Sequence, residues 1–120
     1  VLEDEGYGVI EAPDGLIALE MLRASLYPLV VLSNHNMPRL DGPGLFNFIV
    51  EDPRLAADHA YIYMTAGNRV IPPDFSRQLS ELHVPVLRKP FDVQALVDQV
   101  EAAARRLDGT EPAHEAAPTH

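Results

Sequence analysis

LVVLSNHNMPRLDG, residues 29–42, is the stretch that decides the fold. Its first four residues, Leu29-Val30-Val31-Leu32, are apolar without alternation. A strand with one wet face alternates, so an unbroken run of this kind belongs to a strand buried on both faces. The stretch closes on Asp41-Gly42, with Pro43 following, which is a helix-start signal. Between strand and helix lies a strand carboxyl end, the place where ligands and chemistry gather in open parallel sheets. A reactive carboxylate would be at home there. The sequence supplies Asn34, His35 and Asn36 instead, and no acid before Asp41.

The same grammar repeats outward from this point. Tyr7 to Glu11 reads as a short strand, and Asp14 caps a helix with Leu16, Leu19, Met21 and Leu22 on its apolar face. Tyr27-Pro28 breaks that helix. The helix begun at Asp41-Gly42-Pro43 turns Leu45, Phe46, Phe48 and Ile49 inward and ends at Glu51-Asp52-Pro53. Tyr61 to Met64 is a third strand, closed by Thr65-Ala66-Gly67. A short helix opens at Pro72-Pro73-Asp74 with Phe75, Leu79 and Leu82 at helical spacing, and Val84 to Leu87 is the last strand. Asp92 caps a final helix striped by Val93, Leu96, Val97, Val100, Ala104 and Leu107, with Arg105-Arg106 at the negative end of its dipole. Gly109 stops it. Alternating strands and helices with apolar strands define a doubly wound α/β domain over residues 1–108, and the small, polar residues 109–120 read as a disordered tail.

Composition narrows the function. The chain has 120 residues, 47% of them apolar, enough for one core. A net charge of −9 argues against a nucleic-acid surface, which needs clustered Lys and Arg. The absence of cysteine removes disulfides, thiol catalysis and Cys-based zinc sites. No apolar run reaches the length of a membrane span, so a cytoplasmic domain is the expectation. His35, His59 and His83 are spaced like no metal-ligand motif, and no Ser-His-Asp or paired-carboxylate arrangement suggests hydrolysis.

Three residues mark the strand ends: Asn34, Thr65 and Lys89. Lys89 is the single lysine among nine basic residues, and Pro90 after it can take the cis form and turn the lysine inward. A strand-end threonine or surface lysine is commonplace taken alone. Together with their surroundings, however, the segments EGYGVIEAPDG, NMPRLDG, YIYMTAG and VPVLRKPF resemble, in order and spacing, the receiver domain of bacterial two-component response regulators. The resemblance spans about Leu2 to Leu107. It implies a flavodoxin-like parallel sheet in order 2-1-3-4-5 with five helices.

It also implies roles. Asn34 falls where the family's phosphoacceptor aspartate stands, three residues before the Met of the Met-Pro pair. Thr65 and Lys89 match the hydroxyl and the lysine that hold the phosphoryl group. Ala66 matches the small residue that leaves it room, Pro90 completes that pocket, and Asn36 matches a position whose backbone carbonyl helps bind Mg²⁺. Val86 stands where many receivers carry a switch Tyr or Phe. Phosphoryl transfer needs an anionic oxygen nucleophile, and an amide is neither that nor a good ligand for a hard cation. His35 is expected to turn away from the site, because side chains alternate along extended backbone.

The family's first strand ends in acidic metal ligands. Glu3-Asp4-Glu5 cannot be that end, since too few residues separate it from Asp14 for a helix and a strand. Leu2 to Tyr7 fits the end of the family's first helix, so the first strand and its acidic pair are expected to be absent from these 120 residues. The strands flanking it would then face a gap of roughly 10 Å unless upstream residues, re-pairing or an exchanged element fills it. No cofactor is expected, and Mg²⁺ only where the acidic pair is present.

The leading reading is a receiver-like module of a phosphorelay, not an enzyme, that acts by protein–protein contact without its own phosphorylation. A histidine kinase or downstream signalling protein would dock on the face built by Phe75–Leu87 and Asp92–Val100, and a second copy of the chain is another candidate there. The alternative is an ordinary phosphoacceptor domain in which Asn34 is an engineered or mistaken replacement for aspartate and the amino-terminal segment is missing.

Overall fold

Among the described residues, four parallel strands form one sheet in sequential order, and five helices accompany them. The structure is a computed structural model and describes residues 8–108. The expectations for Leu2 to Tyr7 and for the tail from Gly109 to His120 therefore lie outside the described residues. The strands are β1 (Gly8–Glu11), β2 (Leu29–Asn34), β3 (Ala60–Ala66) and β4 (Val86–Lys89). The helices are α1 (Gly15–Ala24), α2 (Gly42–Val50), α3 (Pro53–Asp58), α4 (Pro73–Glu81) and α5 (Val93–Asp108).

The gap expected between β1 and β2 is closed by direct pairing. Gly8 lies opposite Leu29 and Glu11 opposite Leu32, and the ladder extends through Gly8 N–H to Pro28 O and Ala12 N–H to Leu32 O. These bonds satisfy backbone donors that an open gap would leave unpaired, each costing about 1–3 kcal/mol if buried.

Alternation along β2 and β3 divides the core between two faces. Val31, Tyr61 and Tyr63 meet α1, α2 and α4 on one side. Val30, Leu32, Ile62 and Met64 meet Val100, Ala103 and Ala104 of α5 on the other. Phe46, Tyr61, Tyr63 and Phe75 form an aromatic cluster, edge-to-face but for the tilted Phe46–Phe75 pair, and the Tyr61 hydroxyl donates to Leu55 O at 2.7 Å. That last bond ties α3 to β3.

Several expected details change. Glu51-Asp52-Pro53 was expected only to end a helix. Asp52 also caps the next one, accepting from the Arg54 and Leu55 N–H groups, so α3 follows at once. Phe48 is exposed, because at about 100° per residue it falls off the Leu45, Phe46 and Ile49 stripe; its ring lies under the Arg23 guanidinium instead. Met21 is exposed for the same angular reason, with Ala18, Leu19 and Leu22 taking the buried face of α1. On α5 the buried stripe begins later than expected: Val93 and Val97 are exposed, and Ala103 is buried. The last strand starts at Val86 because Val84 N–H closes the end of α4 on Leu79 O, after a left-handed His83 (φ 59°).

Asp14 positions the loop after β2. Its carboxylate accepts from the Leu16 and Ile17 N–H groups and from Arg39 Nε, the last at 2.6 Å. Arg39, in the left-handed region at φ 66°, brings Leu40 down on the start of α1. A Cβ on Gly15 would run into the Leu40 carbonyl oxygen. Gly15→Ala should therefore lower unfolding free energy by about 1–3 kcal/mol, the range for overpacking, in urea titrations. Gly44→Ala should cost less, since its obstacle is the rotatable Leu40 methyl.

His59 is buried, and its Nδ1 accepts from Leu29 N–H at 3.0 Å. Burial holds it below the ordinary 6.5, against opposing effects of Asp58 and the Leu22 backbone. A depressed folded value means the unfolded chain binds the proton first. Stability from this group is thus full above pH 6.5 and is lost as pH falls through the lowered value. His59→Gln should flatten that part of the stability–pH curve, read from denaturation midpoints.

Candidate functional site at the strand carboxyl ends

Parallel register brings the ends of β2, β3 and β4 to one edge. Asn34 lies opposite Met64, Thr65 opposite Arg88, and Ala66 opposite Lys89. Residues far apart in sequence thereby share one open cleft of about 550 Å³. Its central contact is direct: Lys89 Nζ donates to Asn34 Oδ1 at 2.8 Å. That bond also orients the amide, placing Nδ2 as a donor elsewhere.

The loops at this edge are closely fitted. The Lys89–Pro90 peptide bond is cis. A Cβ on Gly67 would lie 2.5 Å from the Lys89 carbonyl oxygen, so only glycine lets the loop after β3 approach the Lys89-Pro90 turn. Arg88 Nη1 donates to Arg69 O at 2.7 Å and holds that loop in place. A Cβ on Gly42 would meet Asn34 O at 2.8 Å, so α2 begins directly against the end of β2.

Each sequence-derived site residue has a definite place. Thr65 is 2% exposed, its hydroxyl buried beside the Tyr63 phenol. Ala66 and Pro90 line the cleft and are exposed, as is Asn36. Val86 lies apart from the cleft, half-buried opposite Tyr63 and packed on the α1–α2–α4 core. His35 departs from expectation. It lines the same cleft, and its Nδ1 shares a hydrogen bond with the Tyr63 hydroxyl.

Two residues of the site were not anticipated. Tyr63 has the same strand parity as Thr65, which puts both side chains on one face of β3, and its hydroxyl bonds the cleft residue His35. Burial raises its phenol above the ordinary 10.0, with the adjacent Thr65 hydroxyl and the Arg69 and Arg88 charges acting the other way. Arg69 sits in the loop that follows β3 and lines the cleft, with its Nε buried and unpartnered. Its place beyond a strand carboxyl end was the available signal.

The donor set does not fit Mg²⁺. The cleft carries two cations, Arg69 and Lys89, and no carboxylate among the described residues that line it. Among the described residues, no three His, Asp or Glu side chains converge as metal ligands. A hard divalent cation prefers carboxylate oxygens, and here the position nearest Lys89 is a neutral amide already accepting a hydrogen bond from it.

No family model matches the chain. Among solved structures, the signal receiver domain of a signal transduction histidine kinase from Syntrophus aciditrophicus is similar, with a TM-score of 0.63 at 23% sequence identity. The match covers 92% of this chain and 78% of that one. The fold is that of a signal receiver domain, a flavodoxin-like parallel α/β sheet.

The geometry fixes a titration. Burial first, and then the Arg69 charge, hold His35 below the ordinary 6.5, while Asp41 acts in the opposite direction. Arg69→Gln removes a nearby positive charge, so the His35 midpoint should rise, followed by NMR of its ring protons across pH 4–8. An unmoved midpoint would place Arg69 away from His35.

Proposed function

We propose that the chain is a receiver-like signalling module of a two-component phosphorelay that acts through protein–protein contact, without being phosphorylated and without enzymatic activity of its own. The observation that carries this reading is the Asn34 amide at the carboxyl end of β2, bonded to Lys89 at 2.8 Å. An amide oxygen has no negative charge, so it lacks the nucleophile that phosphoryl transfer to a side chain requires. Thr65 and Lys89 remain where they could face a phosphoryl group, which supports descent from that chemistry rather than its present use.

Contact would be made on the face built from α4, β4 and α5, spanning Phe75–Leu87 and Asp92–Val100. Val93, 76% exposed, and Val97 present apolar surface there. A histidine kinase or a downstream protein is the partner class, with a second copy of the chain as a further candidate. No helix among the described residues is long and apolar enough to cross a membrane, and we place the module in the cytoplasm.

Incubation with acetyl phosphate and Mg²⁺ should leave the intact mass unchanged. A gain of one phosphoryl group would overturn this reading in favour of a phosphoacceptor. Val93→Asp should abolish capture of the partner while changing unfolding free energy by no more than about 0.5 kcal/mol, as for other exposed positions.

A further inference from the structure

We propose that two copies of this chain pair through their β1 strands, antiparallel about a two-fold axis at Ile10, and that the contact closes the apolar groove beside β1. The inference goes beyond the reading above and does not rest on it. In the order β1-β2-β3-β4 the proposed partner face belongs to β4, the opposite edge of the sheet, and stays free.

The backbone supplies the first support. Among the described residues, β1 has a neighbouring strand on one side only. Gly8 N–H donates to Pro28 O and Ala12 N–H to Leu32 O, so the even-numbered residues of β1 face β2. Alternate residues of a strand point their N–H and C=O groups to opposite sides, which turns those of Val9 and Glu11 to the open edge. Sheets commonly guard such an edge with basic residues or proline. At the other edge β4 carries Arg88 and Lys89 and is followed by Pro90, whereas β1 has neither a basic residue nor a proline.

The side chains supply the second. A groove of about 520 Å³ runs beside the open edge, with Val9 and Ile10 of β1, Met21 of α1, and Leu26 and Tyr27 of the following loop among its lining. No charged residue lines it, in a chain that carries −9. Leu26 is 98% exposed, Tyr27 51% and Met21 41%. Apolar side chains gathered on one groove are the mark of a contact surface, where scattered single ones are not.

A second copy fits because the edge is complementary to itself. Outward-facing residues must meet outward-facing residues, which limits the register. Glu11 opposite Glu11 sets like charges face to face. Val9 opposite Val9 leaves Glu11 without a partner among the described residues. Val9 opposite Glu11 uses the whole strand, lets each outward residue exchange both its bonds, and separates the two carboxylates. Ile10 then meets Ile10 across the axis, on the α1 side of the sheet where its side chain already packs. The axis stands normal to the sheet, so both grooves open on the same side, and Met21 and Leu26 of the two copies flank one apolar channel. An interface of this kind is isologous and closes at a dimer.

Sedimentation equilibrium of the 120-residue chain, from micromolar to millimolar concentration, tests the pairing. Reversible doubling of the mass is expected. Added salt should tighten it, because screening weakens the repulsion between two chains of −9 and leaves apolar contact intact. Glu11→Pro removes an outward N–H and leaves the β2 ladder whole, and Leu26→Asp puts a charge on the groove. Each should weaken association about tenfold or more, the scale of one lost apolar or hydrogen-bonded contact. Val93→Asp, on α5, should change nothing, and circular dichroism reports whether each variant is folded. The chain has no cysteine, so Ile10→Cys reads the register directly. Residues opposed in this way lie within disulfide reach, and diamide should cross-link folded Ile10→Cys into a dimer while Val93→Cys stays monomeric. A monomer at every concentration, including one whose own residues 1–7 occupy the edge, would overturn the proposal. So would a dimer of equal affinity in either folded edge variant, one that salt dissociates, or one lost in Val93→Asp.

Discussion

Burial of β2 and β3 on both faces is the constraint from which the rest follows. With Val30 to Ser33 and Tyr61 to Thr65 enclosed by α1, α2 and α4 on one side and α5 on the other, no polar side chain can leave the sheet through its faces. Polar function is pushed to the strand ends. Parallel pairing then sets all carboxyl ends at one edge, and the register aligns Asn34, Thr65 and Lys89 without any contact in sequence. A slip of one residue would turn each of them to the opposite face. The cleft is therefore as well defined as the core register beneath it.

That is why so much of the site was legible beforehand. The unbroken run at Leu29–Leu32 identified a doubly covered strand, and Asp14, Asp41 and Gly42 fixed the helix starts through capping chemistry that is local in sequence. Asn34, Thr65 and Lys89 followed because strand ends are where parallel sheets keep their chemistry. What escaped was decided by angle or by distant contact. Met21, Phe48, Val93 and Val97 are apolar and helical, but a few tens of degrees separate the buried stripe from the exposed one, and composition does not measure that angle. Asp52 carries both a stop and a start, which a single breaker signal cannot distinguish. Arg69 belongs to no periodic pattern, and His35 follows Asn34 into the cleft because the strand ends at Asn34, so alternation no longer governs it.

The pairing of β1 with β2 shows how the sheet obeys hydrogen-bond accounting over family order. The sequence resemblance implied a strand between these two. Among the described residues they instead form a four-residue parallel ladder of their own, from Gly8–Leu29 to Glu11–Leu32. Strand edges are interchangeable to the extent that their backbone groups are chemically identical, so two edges that would each lack a partner can satisfy one another. The price is position: β1 sits one strand spacing, about 4.8 Å, nearer to β2 than an intervening strand would allow. The Asn34–Thr65–Lys89 edge lies on β2, β3 and β4, and its register is set by the β2–β3 and β3–β4 ladders.

Replacing a carboxylate by an amide changes more than one nucleophile. Beside a lysine, a carboxylate supplies a charge that neutralises it and oxygens that draw a divalent cation. Asn34 has nearly the same shape, and it still receives the Lys89 hydrogen bond at 2.8 Å. With Arg69 on the same cleft and no lining carboxylate among the described residues, the local field favours anions. A metal at the cleft would approach two cations, Arg69 and Lys89, with no carboxylate among the described lining residues to hold it.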